Sequence, residues 1–143
     1  MKLFKNTIHV TLIVLTIFLA LSAIAGSVQL LEGTYAPPVE LLDGSIFKDY
    51  TIPGLSLGLI VGGCAAFAAV LLIRKSKFAA LCATTAGIII MFFEFVEVMV
   101  FGTPDQVALV LQIFYFGLGT VITVASMGTW FLDIQSNQGR IPS

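Results

Sequence analysis

The sequence predicts an all-α integral membrane protein, a four-helix bundle with both termini on the cytoplasmic side and a long outer segment between the first two helices. Three observations carry that expectation. Of 143 residues, 58% are hydrophobic and only 10% charged, against about 45–50% and about 25% in an ordinary soluble domain. The charges cut the chain into four apolar runs: Asn6 to Leu31, Tyr50 to Ile73, Phe78 to Phe93 and Gln106 to Leu132. The basic residues also alternate in side. Lys2, Lys5, Arg74, Lys75, Lys77 and Arg140 fall on one side, and the other has only Lys48 beside Glu32, Glu40, Asp43, Asp49 and Asp105. The positive-inside rule then places both termini in the cytoplasm. With 7 Lys and Arg against 8 Asp and Glu, no basic surface suggests nucleic acid as a partner.

The first helix is expected over about residues 7–31. Lys2 and Lys5, followed by the apolar stretch Ile8 to Leu21 and the small residues Ala23-Ile24-Ala25, also resemble a cleavable signal peptide. The run continues past that site to Leu31, longer than a signal core, so an uncleaved span is the reading adopted. His9 is the only histidine, and one histidine makes neither a zinc nor a haem site.

An outer cap is expected over about residues 32–52. Pro37-Pro38 leads into Val39, Leu41 and Leu42, a Gly44-Ser45 turn, and Ile46 to Tyr50. These residues are too apolar for a solvated linker. They fit either a cap over the outer mouth, with Phe47, Asp49, Tyr50 and Pro53 at its core, or an interfacial loop dipping into the headgroups. The outer carboxylates match no calcium loop, and no metal site is expected.

The second helix, about 53–73, opens on Pro53, which forfeits no hydrogen bond there. Gly54, Gly58, Gly62 and Ala66 recur every four residues as one smooth ridge. Such ridges let helices approach closely in lipid. They serve internal packing or a homo-oligomer contact. The third helix repeats the spacing with Ala83 and Gly87.

The run from Phe78 to Phe93 is too short to span, since crossing the hydrocarbon takes about 20 residues. The third helix therefore extends over about 78–101 and carries Glu94 and Glu97 with it. The two stand three residues apart, on one helical face. Glu94 lies about one turn below the outer boundary and Glu97 close to it, at about 1.5 Å per residue. Burial disfavours a charged carboxyl, so Glu94 is expected to be neutral, hydrogen-bonded or paired.

The fourth helix, about 105–132, enters from outside and brings Gln112 level with Glu94, with Tyr115 one turn deeper. A Glu94–Gln112–Tyr115 cluster, with Glu97 as its outer access, is the candidate polar site. It serves either a proton or cation, or a plain interhelical hydrogen bond worth about 1 kcal/mol or less. Phe92, Phe93, Phe95, Phe101, Phe114 and Phe116 would wall an apolar pocket for a lipid tail or quinone. Residues 133–143 form a cytoplasmic tail.

Cys64 and Cys82 lie at different depths, so no disulfide is expected. With no Cys-x-x-Cys, Walker loop, His-Glu-x-x-His, nucleophile elbow or Rossmann glycines, no enzyme activity and no cofactor are predicted.

Around Ser45-Ile46-Phe47-Lys48-Asp49-Tyr50-Thr51-Ile52-Pro53-Gly54-Leu55 the chain resembles small four-span bacterial membrane proteins, with Ile46 in place of their proline. The resemblance implies a bacterial inner-membrane protein and no particular chemistry.

The composite expectation is a non-enzymatic membrane protein acting by self-association or within a membrane complex. The alternatives are a proton- or cation-coupled transporter or channel using Glu94 and Glu97, whose helices show no internal break, and a lipid or quinone binder.

Overall fold

The computed structural model describes residues 1–139. Arg140, used above to orient the chain, lies outside them. The protein is all-helical, with four helices long and apolar enough to cross a membrane: α1 (Lys2–Glu32), α2 (Thr51–Ile73), α3 (Ala79–Phe101) and α4 (Gln106–Gln138). They run up and down as a bundle, so the start of α1, the end of α4 and the α2–α3 turn share one end, here the terminus end. The α1–α2 segment and the α3–α4 turn share the other, the cap end.

The helix ends follow local chemistry. Gly33 closes α1 in the left-handed region, at φ 72°, where glycine carries no Cβ penalty. Gly102 closes α3 at φ 69°. The Asp105 carboxylate accepts the Ala108 N–H at 2.8 Å and caps α4.

Three boundaries differ from expectation. Helix α1 begins at Lys2 and α4 runs to Gln138, so their 31 and 33 residues reach about 46 and 50 Å, well beyond about 30 Å of hydrocarbon. Both overshoot at the terminus end, where the Lys5 ammonium meets the Asp133 carboxylate at 3.1 Å. A helix continues through polar residues while it has a neighbour to lie on; the rule of cutting at charges misses this. Helix α2 starts at Thr51, two residues before Pro53, and the proline sits in a first turn whose N–H groups lack helical partners anyway.

The second helix also has an internal irregularity where none was expected. Its middle, Ser56–Gly62, is a π-helix between α-helical Thr51–Leu55 and Gly63–Ile73. Such segments are rare and concentrate at functional sites.

The core runs along the bundle axis through Leu12, Leu19, Ala23, Val61, Ala65, Ala83, Ala86, Ile90 and Ile122. Alanine is the commonest of them because helices in lipid gain from close backbone approach. The ridge of α2 is consumed in this way. A Cβ on Gly54 would stand 3.3 Å from Leu30 and Leu31, one on Gly62 3.0 Å from Ile24, and one on Gly58 would collide with Ser27. All three glycines face α1. Ala66 is half-buried against the core. Gly87 of α3 lies against Gly119 of α4, each carbonyl oxygen 2.7 Å from where the other glycine's Cβ would be. Ala83, one turn away, is fully buried. Further down the same seam the hydroxyls of Thr84 and Ser126 are hydrogen-bonded at 2.7 Å.

Candidate functional site

The two glycine contacts decide where the bundle is tight and where it is not. Gly54, Gly58 and Gly62 draw the cap-end half of α2 onto α1, and Gly87 with Gly119 draws α3 onto α4. Between α2 and α3, towards the cap end, a cavity of about 420 Å³ is left. One wall is the π-helical stretch, through Ser56, Ile60 and Val61; the other is α3, through Ile88, Ile89, Phe92, Phe93, Val96, Glu97, Val100 and Phe101. Ile60, Ile88 and Phe92 are 53%, 50% and 67% exposed, so the cavity is a groove open along the bundle's side, where lipid would lie.

Phe47 and Pro53 close the groove at the cap end. The segment behind them is partly a lid and partly an interfacial loop. Leu42 and Tyr50 are buried, at 3% and 5% exposure, while Val39 and Ile46 stand out at 54% and 90%. The apolar residues thus divide between the bundle mouth and the headgroup level. The Tyr50 ring packs on Phe101 at 5.6 Å, and its hydroxyl donates to the Pro38 carbonyl at 3.2 Å, which ties the segment down. Burial pushes the Tyr50 hydroxyl above its ordinary pKa, and the nearby carboxyls of Glu40 and Glu97 add to the effect. Asp49 accepts the Thr51 N–H at 2.9 Å and so begins α2. That hydrogen bond holds its carboxyl below the ordinary value.

Polar groups in the groove are few and gathered at one end. Glu97, four residues below Phe101, and Ser56, five residues into α2, lie about 6 and 7.5 Å from the cap-end termini of their helices, on opposite walls. The remaining lining residues are apolar.

The expected cluster is assembled differently. Gln112 reaches Glu97, not Glu94. Its amide nitrogen donates to the Glu97 carboxylate at 3.4 Å and to the Gly102 carbonyl at 3.0 Å, and its amide oxygen accepts the Thr103 hydroxyl at 3.0 Å. Gln112 is therefore a clip that pins the α3–α4 turn and steadies Glu97 from behind. Glu94 points into the bundle interior at 6% exposure and, among the described residues, takes part in no hydrogen bond. Tyr115 packs its ring edge-on against Phe114 at 5.2 Å and makes no polar contact with Glu94 or Gln112 among the described residues.

The aromatic residues also separate. Phe92, Phe93 and Phe101 line the groove, whereas Phe95, Phe114 and Phe116 are about half exposed elsewhere. Cys64 and Cys82 are both free thiols. Among the described residues no group of three His, Cys, Asp or Glu side chains is placed to hold a metal.

Ser56, Ile60 and Val61 escaped the sequence reading, because a π-helix has no signature in hydropathy. Thr103 and Gly119 escaped it too; a glycine spacing shared between α3 and α4, Gly87 with Gly119, was the available signal for the second. No known protein family, curated protein or solved structure matches this chain.

Proposed function

We propose that this polytopic membrane protein is a non-enzymatic binder that takes an amphipathic molecule from the bilayer into the groove between α2 and α3. The observation that carries the reading is the groove itself. Its volume, about 420 Å³, falls within the about 300–1,000 Å³ of ligand sites, which are largely apolar with a few convergent polar groups. It opens sideways, so an apolar ligand enters without crossing water. The basic terminus end and acidic cap end, with the resemblance to bacterial four-span proteins, support a place in a cytoplasmic membrane with the cap outward.

The assembly reading draws on the glycine ridges and the outer cap. Gly54, Gly58, Gly62 and Gly87 pack against neighbouring helices of the same chain, which leaves the outer cap as its surface for a second copy or a partner. A proton- or cation-coupled role keeps two supports: the buried Glu94, which has no hydrogen-bond partner among the described residues, and an irregular stretch of α2 of the kind transporters use. A pH-sensitive dye in proteoliposomes tests it: equal proton flux through native and Glu94→Gln protein removes it.

Native mass spectrometry of protein extracted gently from its own membrane tests the binding reading. Expected is a reproducible small-molecule adduct that is lost when Ile60→Trp and Ile88→Trp fill the groove, and kept when Leu59→Trp, on an exposed position outside the lining, adds the same bulk. An adduct-free native protein, or one indifferent to the filled groove, refutes it.

A further inference from the structure

The shape and polarity of the groove restrict its occupant further than binding alone. Such selectivity presupposes that the groove is a ligand site. On α3 the lining runs from Ile88 to Phe101, about 20 Å along the helix. That length suits an extended hydrocarbon chain lying along the groove.

At the cap end that chain meets a carboxyl. Glu97 faces the groove from α3, with the Ser56 side chain on the opposite wall. Among the described residues the only donor held against Glu97 is the Gln112 amide, bonded from the α4 side to one carboxyl oxygen, so the groove side of Glu97 is free to accept. Above it the charge is of one sign. Glu32, Glu40, Asp43, Asp49 and Asp105 are exposed at the cap end, with Lys48 as the sole basic residue there among the described residues. This potential attracts a cation and repels an anion.

We infer that the groove selects a lipophilic amine, with its alkyl tail along Ile60, Ile88 and Phe92 and its ammonium head on Glu97 and the Ser56 hydroxyl. A fatty acid brings a carboxylate to a carboxyl. A phospholipid brings a phosphate to an acidic site. A quinone presents carbonyl acceptors where the site offers chiefly acceptors.

The test measures binding of hexadecylamine, hexadecanol and palmitate to the full-length protein in nanodiscs of zwitterionic lipid, by competition against a fluorescent long-chain amine. Hexadecylamine is expected to bind about tenfold or more tighter than hexadecanol, the margin of a hydrogen bond to a charged group, with palmitate weakest. Glu97→Gln keeps an acceptor for Gln112, so the fold is retained and the preference for amine over alcohol collapses. Ile60→Trp with Ile88→Trp weakens all three. Equal binding of amine and alcohol, unchanged by Glu97→Gln but lost in the filled groove, overturns the head-group assignment and leaves the groove reading standing. Binding that the filled groove does not alter overturns both.

Discussion

Placing a single methyl group at the crossing of α3 and α4 is the sharpest test of the packing that creates the groove. In Gly87→Ala the new Cβ would lie 2.7 Å from the Gly119 carbonyl oxygen and against the Thr123 hydroxyl, where ordinary contact begins at 3.4 Å. The nearest backbone cannot swing aside as a side chain would, so the helices separate by about 0.7 Å, the difference between those distances. A gap of that size forfeits about a quarter to a half of the dispersion energy of each atom pair it opens. With about 40 pairs across the crossing at about 0.15 kcal/mol each, the loss is about 2 kcal/mol, inside the about 1–3 kcal/mol range of overpacking.

Gly117→Ala on the same helix as Gly119 meets nothing within 4 Å and should be neutral or slightly stabilising through helix propensity. The assay is reversible unfolding in mixed micelles, followed by helical circular dichroism and by Trp130, the only tryptophan. Gly119→Ala should cost about as much as Gly87→Ala. The double variant should cost less than their sum, because both methyls spread the same contact. If Gly87→Ala unfolds at the same detergent fraction as Gly117→Ala, α3 and α4 do not cross at these glycines and the account of the groove fails with them.

Three further outcomes follow from the same structure. Gly58→Leu should lower the yield of folded monomer in detergent chromatography, because it drives side-chain bulk into Ser27 of α1, whereas Gly63→Leu, which faces open space, should not; equal profiles would show the ridge is not an internal contact. Gln112→Leu removes three hydrogen bonds and should destabilise by about 2 kcal/mol, from about 0.6 kcal/mol each, with amide exchange rising first around Thr103; an unchanged exchange pattern there would rule out the clip. Asp49 is held below its ordinary pKa by the Thr51 N–H, so its contribution is present above the unfolded value and lost as pH falls through the folded one, below about pH 4. Acid should therefore release the Thr51 amide in native protein and leave it protected in Asp49→Asn, which keeps the acceptor but does not titrate; parallel release in both would refute the role.

What the sequence determines by itself is whatever depends on position along the chain. The four spans follow from runs of apolar residues, because a helix that crosses lipid must satisfy its backbone internally and present apolar side chains along its length. The inclusion of Glu94 and Glu97 in α3 follows from length alone, since the apolar run before them is too short. Their depths are likewise counted from the helix rise, which also puts Gln112 at their level. What only the tertiary structure decides is direction around each helix axis and distance between axes. Gln112 shares a level with both carboxyls, and the rotation of α4 against α3, set by Gly87 and Gly119, is what turns it to Glu97 and leaves Glu94 in the interior. The spacing of Gly54, Gly58 and Gly62 shows that some helix comes close, but not which one. The groove exists because that helix is α1. A chain with the same hydropathy and the ridge turned towards α3 would close the space, since two helices cannot both occupy one smooth face.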